Sequence, residues 1–360
     1  MSYVCKENLC SGCMVCVQKC SQNCISIVDS GDSLNAVIND DICVHCNACR
    51  NVCPQNILVK KQKPITWYQG WAEEEIRKRS SSGGAASAIM KAFIESGGFV
   101  ASCLFDMGNF TFTLTNDIEV LKCFRGSKYV KSNPGNIYEK IADKLKNHKV
   151  LFVGLPCQVA ALKRYVKCYE NLYTIDLICH GTPSRKLLDS YLNEKGYSLN
   201  SCLDVTFRNQ TMFGLSVNGD KVCPYEKDDY TIAFLKSVCY TESCYSCQYA
   251  SDERVSDVTL GDSWGTELEN EKANGISLIL IQTEKGKRLI EQANLTIFDV
   301  DLSNAILTNP QLSHPVKMDK KRVIFFDAIK SGKSFSYAIY KIDRFTWLKK
   351  KIKLVLNYIN

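Results

Sequence analysis

Downstream of residue 65 the chain alternates short runs of β-branched and aromatic residues with segments of helical texture. Residues 67–72, 99–104, 111–115, 150–154 and 172–179 read as strands, as do 205–207, 258–261 and 277–281. Between them the pattern predicts helices over 85–95 and 137–146, with others starting at Cys157 and Pro183. After Val323 it turns helical. Strands alternating with helices predict an α/β core with mixed pairing. The first 60 or so residues have little periodicity and many cysteines, and Lys60-Lys61-Gln62-Lys63-Pro64 closes them as a polar linker. No stretch reaches the ~18 consecutive apolar residues of a membrane-spanning helix.

Cysteine changes this picture most. There are 20 in 360 residues, and Met1-Ser2-Tyr3-Val4-Cys5-Lys6 has no basic-then-apolar export pattern. In a reducing cytosol, clustered cysteines more often ligate metal than form disulfides. The first run is Cys10-x2-Cys13-x2-Cys16-x3-Cys20, and the second is Cys43-x2-Cys46-x2-Cys49-x3-Cys53-Pro54. This is the spacing of bacterial two-cluster ferredoxins, in which the fourth cysteine of each run serves the other cluster. It assigns Cys10, Cys13, Cys16 and Cys53 to one 4Fe–4S cluster, and Cys43, Cys46, Cys49 and Cys20 to another. Zinc prefers two Cys-x2-Cys pairs and fits two runs of four poorly. Cys5 and Cys24 fall outside the pattern and read as small apolar residues. His45 reads as a neighbour of the ligands rather than a ligand.

With 45% hydrophobic and 23% charged residues, the chain is ordinary for a globular protein of two or three domains. Its net charge of +7 is uneven: residues 331–360 hold six Lys, one Arg and one Asp, a net +6. A general nucleic-acid surface is not expected, and the charge question moves to the tail. Residues 344–360 can form a helix, with Phe345, Leu348, Ile352, Val355 and Ile359 in an apolar stripe. Lys349, Lys350, Lys351 and Lys353 flank the stripe, while Trp347, Leu354 and Tyr358 lie off it. Two readings stand: a terminal helix packed on its own body or a partner, or a weak contact with an anionic membrane surface through Lys and an inserted Trp347 or Leu348.

Seven further motifs occur in order between residues 67 and 285. They are Ser80-Ser81-Ser82-Gly83-Gly84, Arg125-Gly126-Ser127-Lys128-Tyr129-Val130, Gly154-Leu155-Pro156-Cys157-Gln158, Asp176-Leu177-Ile178-Cys179-His180-Gly181-Thr182-Pro183-Ser184, Phe207-Arg208, Cys244-x2-Cys247-Gln248-Tyr249-Ala250, and Asp257-x2-Leu260-Gly261-Asp262-Ser263-Trp264-Gly265. In these the chain resembles the coenzyme F-420 hydrogenase/dehydrogenase beta-subunit family, which also includes 7-hydroxymethyl chlorophyll a reductase. The resemblance implies a flavin, usually FAD, exchanging electrons with iron–sulfur clusters. It points to Ser81, Ser82, Gly83 and Gly84, with Arg125, Ser127 and Lys128, as the flavin site. The residues alone allow this, since a glycine turn into a helix presents free N–H groups to a pyrophosphate. They equally allow a plain helix cap and solvated cations. After Phe207-Arg208 the family continues with Asp and Lys and soon a Trp, where this chain has Asn209-Gln210-Thr211-Met212. That departure leaves the use of a deazaflavin open.

Cys157 and Cys179 follow neighbouring strands, whose ends converge in a wound sheet, and Cys244-x2-Cys247 is a chelating pair. As in several family members, the four can make a third 4Fe–4S site; a structural zinc or buried thiols remain the alternatives. His180 and Asp262 are the candidate catalytic residues, for proton handling at a flavin or for contacts with it.

The expected fold is α+β/α/β. A two-cluster ferredoxin domain (1–62) precedes a mixed α/β flavin-binding domain (65–330) and a basic helical tail (331–360). The expected function is a cytoplasmic oxidoreductase, passing electrons from a soluble donor such as ferredoxin through the clusters and FAD to a small organic substrate. The alternatives are an electron-transfer subunit of a larger redox complex and a reductase serving cell-surface polysaccharide synthesis. The tail reading would place it at the inner membrane face.

Overall fold

The computed structural model describes residues 2–349, apart from 168, 210–211 and 224–226, together with residue 352. Cys168, Gln210, Thr211 and the tail residues Lys350, Lys351, Lys353, Leu354, Val355, Tyr358 and Ile359 therefore lie outside the described residues.

The cysteine-rich segment builds a small antiparallel sheet in the order β1-β3-β2, from β1 (Ser2–Tyr3), β2 (Ile25–Asp29) and β3 (Leu34–Ile38). Short helices Val15–Lys19 and Ala48–Val52 carry the inner cysteines. Each follows a left-handed residue at the same place in its run, Met14 (φ 62°) after Cys13 and Asn47 (φ 58°) after Cys46. The two runs thus turn alike, and each helix holds its third cysteine near the first two.

The larger sheet comprises β4 (Thr66–Trp71), β5 (Phe99–Asp106), β6 (Asn109–Thr115), β7 (Val150–Gly154) and β8 (Leu172–Leu177). A separate small sheet is made of β9 (Val205–Asn209), β10 (Met212–Val217) and β11 (Asp220–Lys221). Then β12 (Val258–Asp262), β13 (Ser277–Ile281) and β14 (Thr296–Phe298) complete the large sheet. Its order is β14-β4-β13-β12-β8-β7-β5-β6. Neighbours among β12, β8, β7 and β5 are parallel, and the outer pairs are antiparallel. All five residues of β7 are buried, as expected for a parallel strand covered on both faces. The helix over Ala85–Glu95 agrees with the sequence reading, whereas the expected strand 172–179 ends at Leu177 and leaves Cys179 and His180 in the following loop.

Helices Ala85–Glu95 and Glu284–Gln292 cover one sheet face, packing Ile89, Phe93 and Leu289 on Val100, Leu151, Ile175 and Leu260. Helices Ile137–Lys144 and Pro156–Tyr165 pack in the same core as the cysteine-rich unit, where Val4, Val15, Leu34 and Val52 meet Ile137, Tyr138, Val159 and Leu162. Tyr138 ties the two parts together: its hydroxyl donates to the Cys13 carbonyl (2.9 Å) and its N–H to Gln18 Oε1 (3.0 Å). The stretch read as a linker is pinned as well. Gln62 and Arg254 exchange two backbone bonds of 2.9 Å, and Lys61 Nζ donates to the Gln248 carbonyl at 3.0 Å.

Helices Lys320–Lys330 and Phe335–Ile342 close a further core around Tyr191, Tyr230, Phe325 and Phe335. Residues 344–349 are helical, and Trp347 folds back onto this body. Its Nε1 donates to Ser336 Oγ (3.1 Å) and its ring meets Tyr340 edge-on at 5.1 Å. Trp347 is therefore not free to insert into lipid, a correction to the sequence reading, while Phe345, Leu348 and Ile352 are exposed. Among the described residues no helix is long and apolar enough to cross a membrane.

Candidate redox site

Cys10, Cys13 and Cys16 wrap the turn into helix Val15–Lys19, and Cys53 arrives from the end of helix Ala48–Val52; all four are buried. Burial pushes the Cys13 and Cys16 thiols up, and the nearby Cys10 and Cys53 sulfurs push both further. Gly12 N–H donates to Cys10 Sγ at 3.4 Å. The other four cysteines of the two runs, Cys20, Cys43, Cys46 and Cys49, line one cavity of about 110 Å³ with His45 on its wall. Cys46 is exposed, and its neighbour Val44 is 62% exposed.

Cys5 and Cys24 are buried in the core, as read from the sequence, and also lie beside ligand positions. Cys10 and Cys53 lie near the Cys5 thiol and, with burial, push its pKa up. Cys24 Sγ lies 3.3 Å from Cys20 Sγ, and Cys43 is close enough to help push its pKa up. Each touches the first cysteine of one run and the last of the other. Nothing in the spacing signalled this, because it depends on how the two runs cross.

The third set of cysteines is assembled by the sheet. In β7 and β8, Gly154 pairs with Asp176, and Cys157 and Cys179 lie equally far beyond that pair. Cys244 and Cys247 come from the turn Glu242–Ser246 and the residue after it. Cys244 Sγ lies 3.4 Å from Thr241 Oγ1 and 3.9 Å from Thr182 Oγ1. Burial pushes Cys157 up to about 12, with Cys247, Cys13 and Cys244 adding to it. Cys179 is raised by burial and then by Cys244, Cys157 and Cys247. The four sulfurs are thus close enough to act on one another. Among the described residues no three such side chains close on a single-ion site, and a four-iron cube spreads its ligands wider than one ion does.

The quartets adjoin in a row. Cys49 of the surface quartet acts on Cys16 of the buried one, and Cys13 of the buried one acts on Cys157 of the third. Lys131 sits at the second junction. Burial works against its charge, but Cys244, Cys157, Cys179 and Cys10 outweigh burial and hold its pKa above the ordinary lysine value.

Beside the third quartet lies a cluster of polar side chains. His180 follows Cys179, and Asp262 ends β12, the neighbour of β8. Arg208 of β9 grips Asp262 with two bonds, 2.7 and 3.1 Å, and its guanidinium lies 4.9 Å from the Phe213 ring and 5.9 Å from Trp264. The His180 side chain is exposed. Burial lowers its pKa, Asp262 raises it, and Arg208 lowers it again, so both groups lie near the ring. The sequence named His180 and Asp262 but gave Arg208 no role. Its signal was a cation directly after a buried aromatic in a strand.

Residues 147–298, which carry the third quartet and the cluster of His180, Arg208 and Asp262, match the family described as the C terminus of the coenzyme F420 hydrogenase/dehydrogenase beta subunit. This part of the chain is therefore similar to that beta-subunit family. Residues 9–57 match the 4Fe-4S dicluster domain, so the protein is an iron–sulfur protein as well. Among solved structures, a chain of the F420-reducing [NiFe] hydrogenase complex from Methanosarcina barkeri is similar in fold, at a TM-score of 0.52 and 19% identity. The match covers 70% of this chain and 89% of that one. No curated protein matches the sequence significantly.

The residues that the beta-subunit resemblance assigns to flavin sit in two touching loops, where Ser127 N–H donates to Ser81 Oγ (3.1 Å). Helix Ala85–Glu95 starts after Gly84 (φ 83°) with no side-chain cap, and Arg125 Nε is buried without an acceptor among the described residues. Both features suit an anionic group. Other members of the set are committed elsewhere. Ser82 Oγ donates to the Ile276 carbonyl (3.0 Å), and a Cβ on Gly83 would lie 2.4 Å from the Gly70 carbonyl oxygen. Lys128 Nζ donates to the carbonyls of Phe124, Arg125 and Gly126 at 2.9, 2.8 and 3.0 Å. An ammonium has three protons, so Lys128 clamps its own loop and has none left for a phosphate.

Proposed function

We propose that this protein is an iron–sulfur flavoprotein oxidoreductase that accepts electrons from a soluble donor such as a ferredoxin and delivers them to a small organic substrate. The observation that carries this reading is the packing of the three cysteine sets into one core, from the exposed Cys46 toward His180 and Asp262. Cys43, Cys46, Cys49 and Cys20 would hold the outer 4Fe–4S cluster, Cys10, Cys13, Cys16 and Cys53 the middle one, and Cys157, Cys179, Cys244 and Cys247 the inner one. When bound, such clusters carry single electrons, and FAD pairs them for two-electron chemistry.

The protein's own residues supply position and charge. Arg125 and the start of helix Ala85–Glu95 offer an anion site, with Ser81 and Ser127 bridging its loops. Arg208 fixes the Asp262 carboxylate, and His180 beside it can hold or release a proton at its ring nitrogen. The segments 1–62, 65–330 and 331–360 serve as donor-docking, redox-core and tail units; their shared cores argue against independent folding.

The test uses the whole chain, loaded anaerobically. It should contain about twelve irons and Cys244→Ser about eight, four per cubane cluster. Arg125→Gln should lose flavin while keeping iron; Gly83→Val is a poor probe because it would force β4 and β13 apart. Metabolites are then screened for reoxidation of the reduced flavin. Eight irons in the unaltered chain, or no flavin, sinks the reading. A chain that loads fully but turns over no substrate would instead favour an electron-transfer subunit, the context of the similar M. barkeri chain in its hydrogenase complex. Exposed Phe345, Leu348 and Ile352 beside Lys349 support weak contact with an anionic membrane. Salt-sensitive flotation with anionic liposomes, abolished by truncation after Asp343, tests this; no flotation at low salt refutes it.

A further inference from the structure

Lys131 is a buried charge to which the proposed function gives no task. Its backbone N–H bonds the Pro183 carbonyl at 2.8 Å, which fixes the residue against the loop that follows Cys179. Only 9% of its surface is exposed. Its stem crosses Gly12, where an added Cβ would come within 3.3 Å of Lys131 Cδ, and that glycine donates its N–H to Cys10. Gly12 also adopts φ 68°. The glycine in the first cysteine run thus makes room for the lysine as well as the turn.

Lys131 thus lies between the Gly12–Cys10 turn of the middle quartet and the Thr182–Pro183 loop beside Cys244 of the inner one, and Cys244, Cys157, Cys179 and Cys10 act on its charge. Among the described residues its ammonium has no carboxylate or carbonyl partner. A buried ammonium is costly unless a counter-charge meets it. A cubane cluster held by four thiolates is anionic, and each electron it accepts adds one negative charge. Net charge and nearby dipoles set the potential of such clusters.

We propose that Lys131 is the shared counter-charge of the middle and inner clusters, making both easier to reduce and easing the repulsion when both hold an electron. An electron passing between them oxidises one cluster and reduces the other by one unit; no bond forms or breaks, and no proton moves. The sulfurs that act most strongly on Lys131 include none from the outer quartet, so the outer potential should respond to it least. This inference rests on the three-cluster reading. It gives the Tyr129-Val130-Lys131 segment a redox role distinct from that of the flavin loops.

The test is Lys131→Met in the full chain, which keeps a stem of similar length over Gly12, with Lys131→Arg as the charge-preserving control. Iron content and dithionite titrations followed by EPR are read on both and on the unaltered protein. In Lys131→Met the middle and inner potentials should shift to more negative values while the outer one stays in place. Lys131→Arg should restore both. Unshifted potentials, or an equal shift of all three clusters, overturn the proposal. If Lys131→Met loses the inner cluster, the middle potential still decides: a negative shift supports the proposal and no shift overturns it. The iron count of the unaltered protein separates the two claims. About eight irons overturns the three-cluster reading and the lysine proposal with it, whereas about twelve with unmoved potentials overturns the lysine proposal alone.

Discussion

Arg254→Met should loosen the inner cysteine quartet from beneath. Arg254 and Asp176 form a salt bridge in which the side chains are 2% and 0% exposed. Two guanidinium nitrogens bond Asp176 Oδ1 at 2.8 and 3.1 Å, and the same group donates to the carbonyls of Tyr249 (2.8 Å) and Leu177 (3.2 Å). It therefore links the loop after Cys247 to the strand end before Cys179. Asp176 Oδ2 has no partner among the described residues, so removing the arginine leaves a whole carboxylate buried and unmatched. Breaking a buried pair from one side costs about 3–5 kcal/mol. Unfolding entropy near 60 °C is about 2.1 cal/mol/K per residue, or roughly 0.76 kcal/mol/K over this chain, so the melting temperature should fall by about 4–7 °C. That estimate treats the chain as one cooperative unit, as its shared core warrants. Anaerobic melting by far-UV circular dichroism, with cluster absorbance alongside, reads both the fold and the quartets. The double variant Arg254→Met/Asp176→Leu should recover most of the loss, since an apolar pair can replace a buried ion pair at little cost. A drop below about 1 °C, or a double variant no better than the single, would refute this account.

Three further outcomes follow from other contacts. Tyr138→Phe removes the donor to the buried Cys13 carbonyl, costing about 1–3 kcal/mol, and should speed iron loss from the middle cluster to a chelator. Arg208→Met should abolish substrate turnover with iron content unchanged, and Arg208→Lys should not rescue it, because a point charge cannot reproduce the two-pronged grip on Asp262; full turnover in either would remove Asp262 from the proposed chemistry. Lys236 and the Thr346 N–H hold the Asp343 carboxyl well below the usual range. Its contribution is therefore present above the unfolded carboxyl pKa of about 3.9 and is lost as pH falls through the depressed folded value. Acid should release residues 344–349, and Asp343→Asn should release them already at neutral pH, read as Trp347 fluorescence against a Trp347→Phe control.

Local chemistry determined much of this protein. The doubled cysteine spacing assigned eight residues to two quartets, and Cys20, Cys43, Cys46 and Cys49 do line one cavity, because a three-cysteine turn is set by a few neighbouring backbone angles. Helix Ala85–Glu95 and strands Val150–Gly154 and Ser277–Ile281 were legible for the same reason, since their period is written in consecutive residues. Short edge strands such as Thr296–Phe298 carry too few residues to show a period, and they were missed. What only the tertiary structure decided depends on partners far apart in the chain. The register of β7 on β8 brings Cys157 beside Cys179. The crossing of the two runs places Cys5 and Cys24 against ligand positions. Lys128 and Lys131 are near neighbours of one residue type in one loop, yet one spends its protons on its own carbonyls and the other lies between two quartets. A sequence records which charges exist, but the direction in which each points is set by the long-range packing around it.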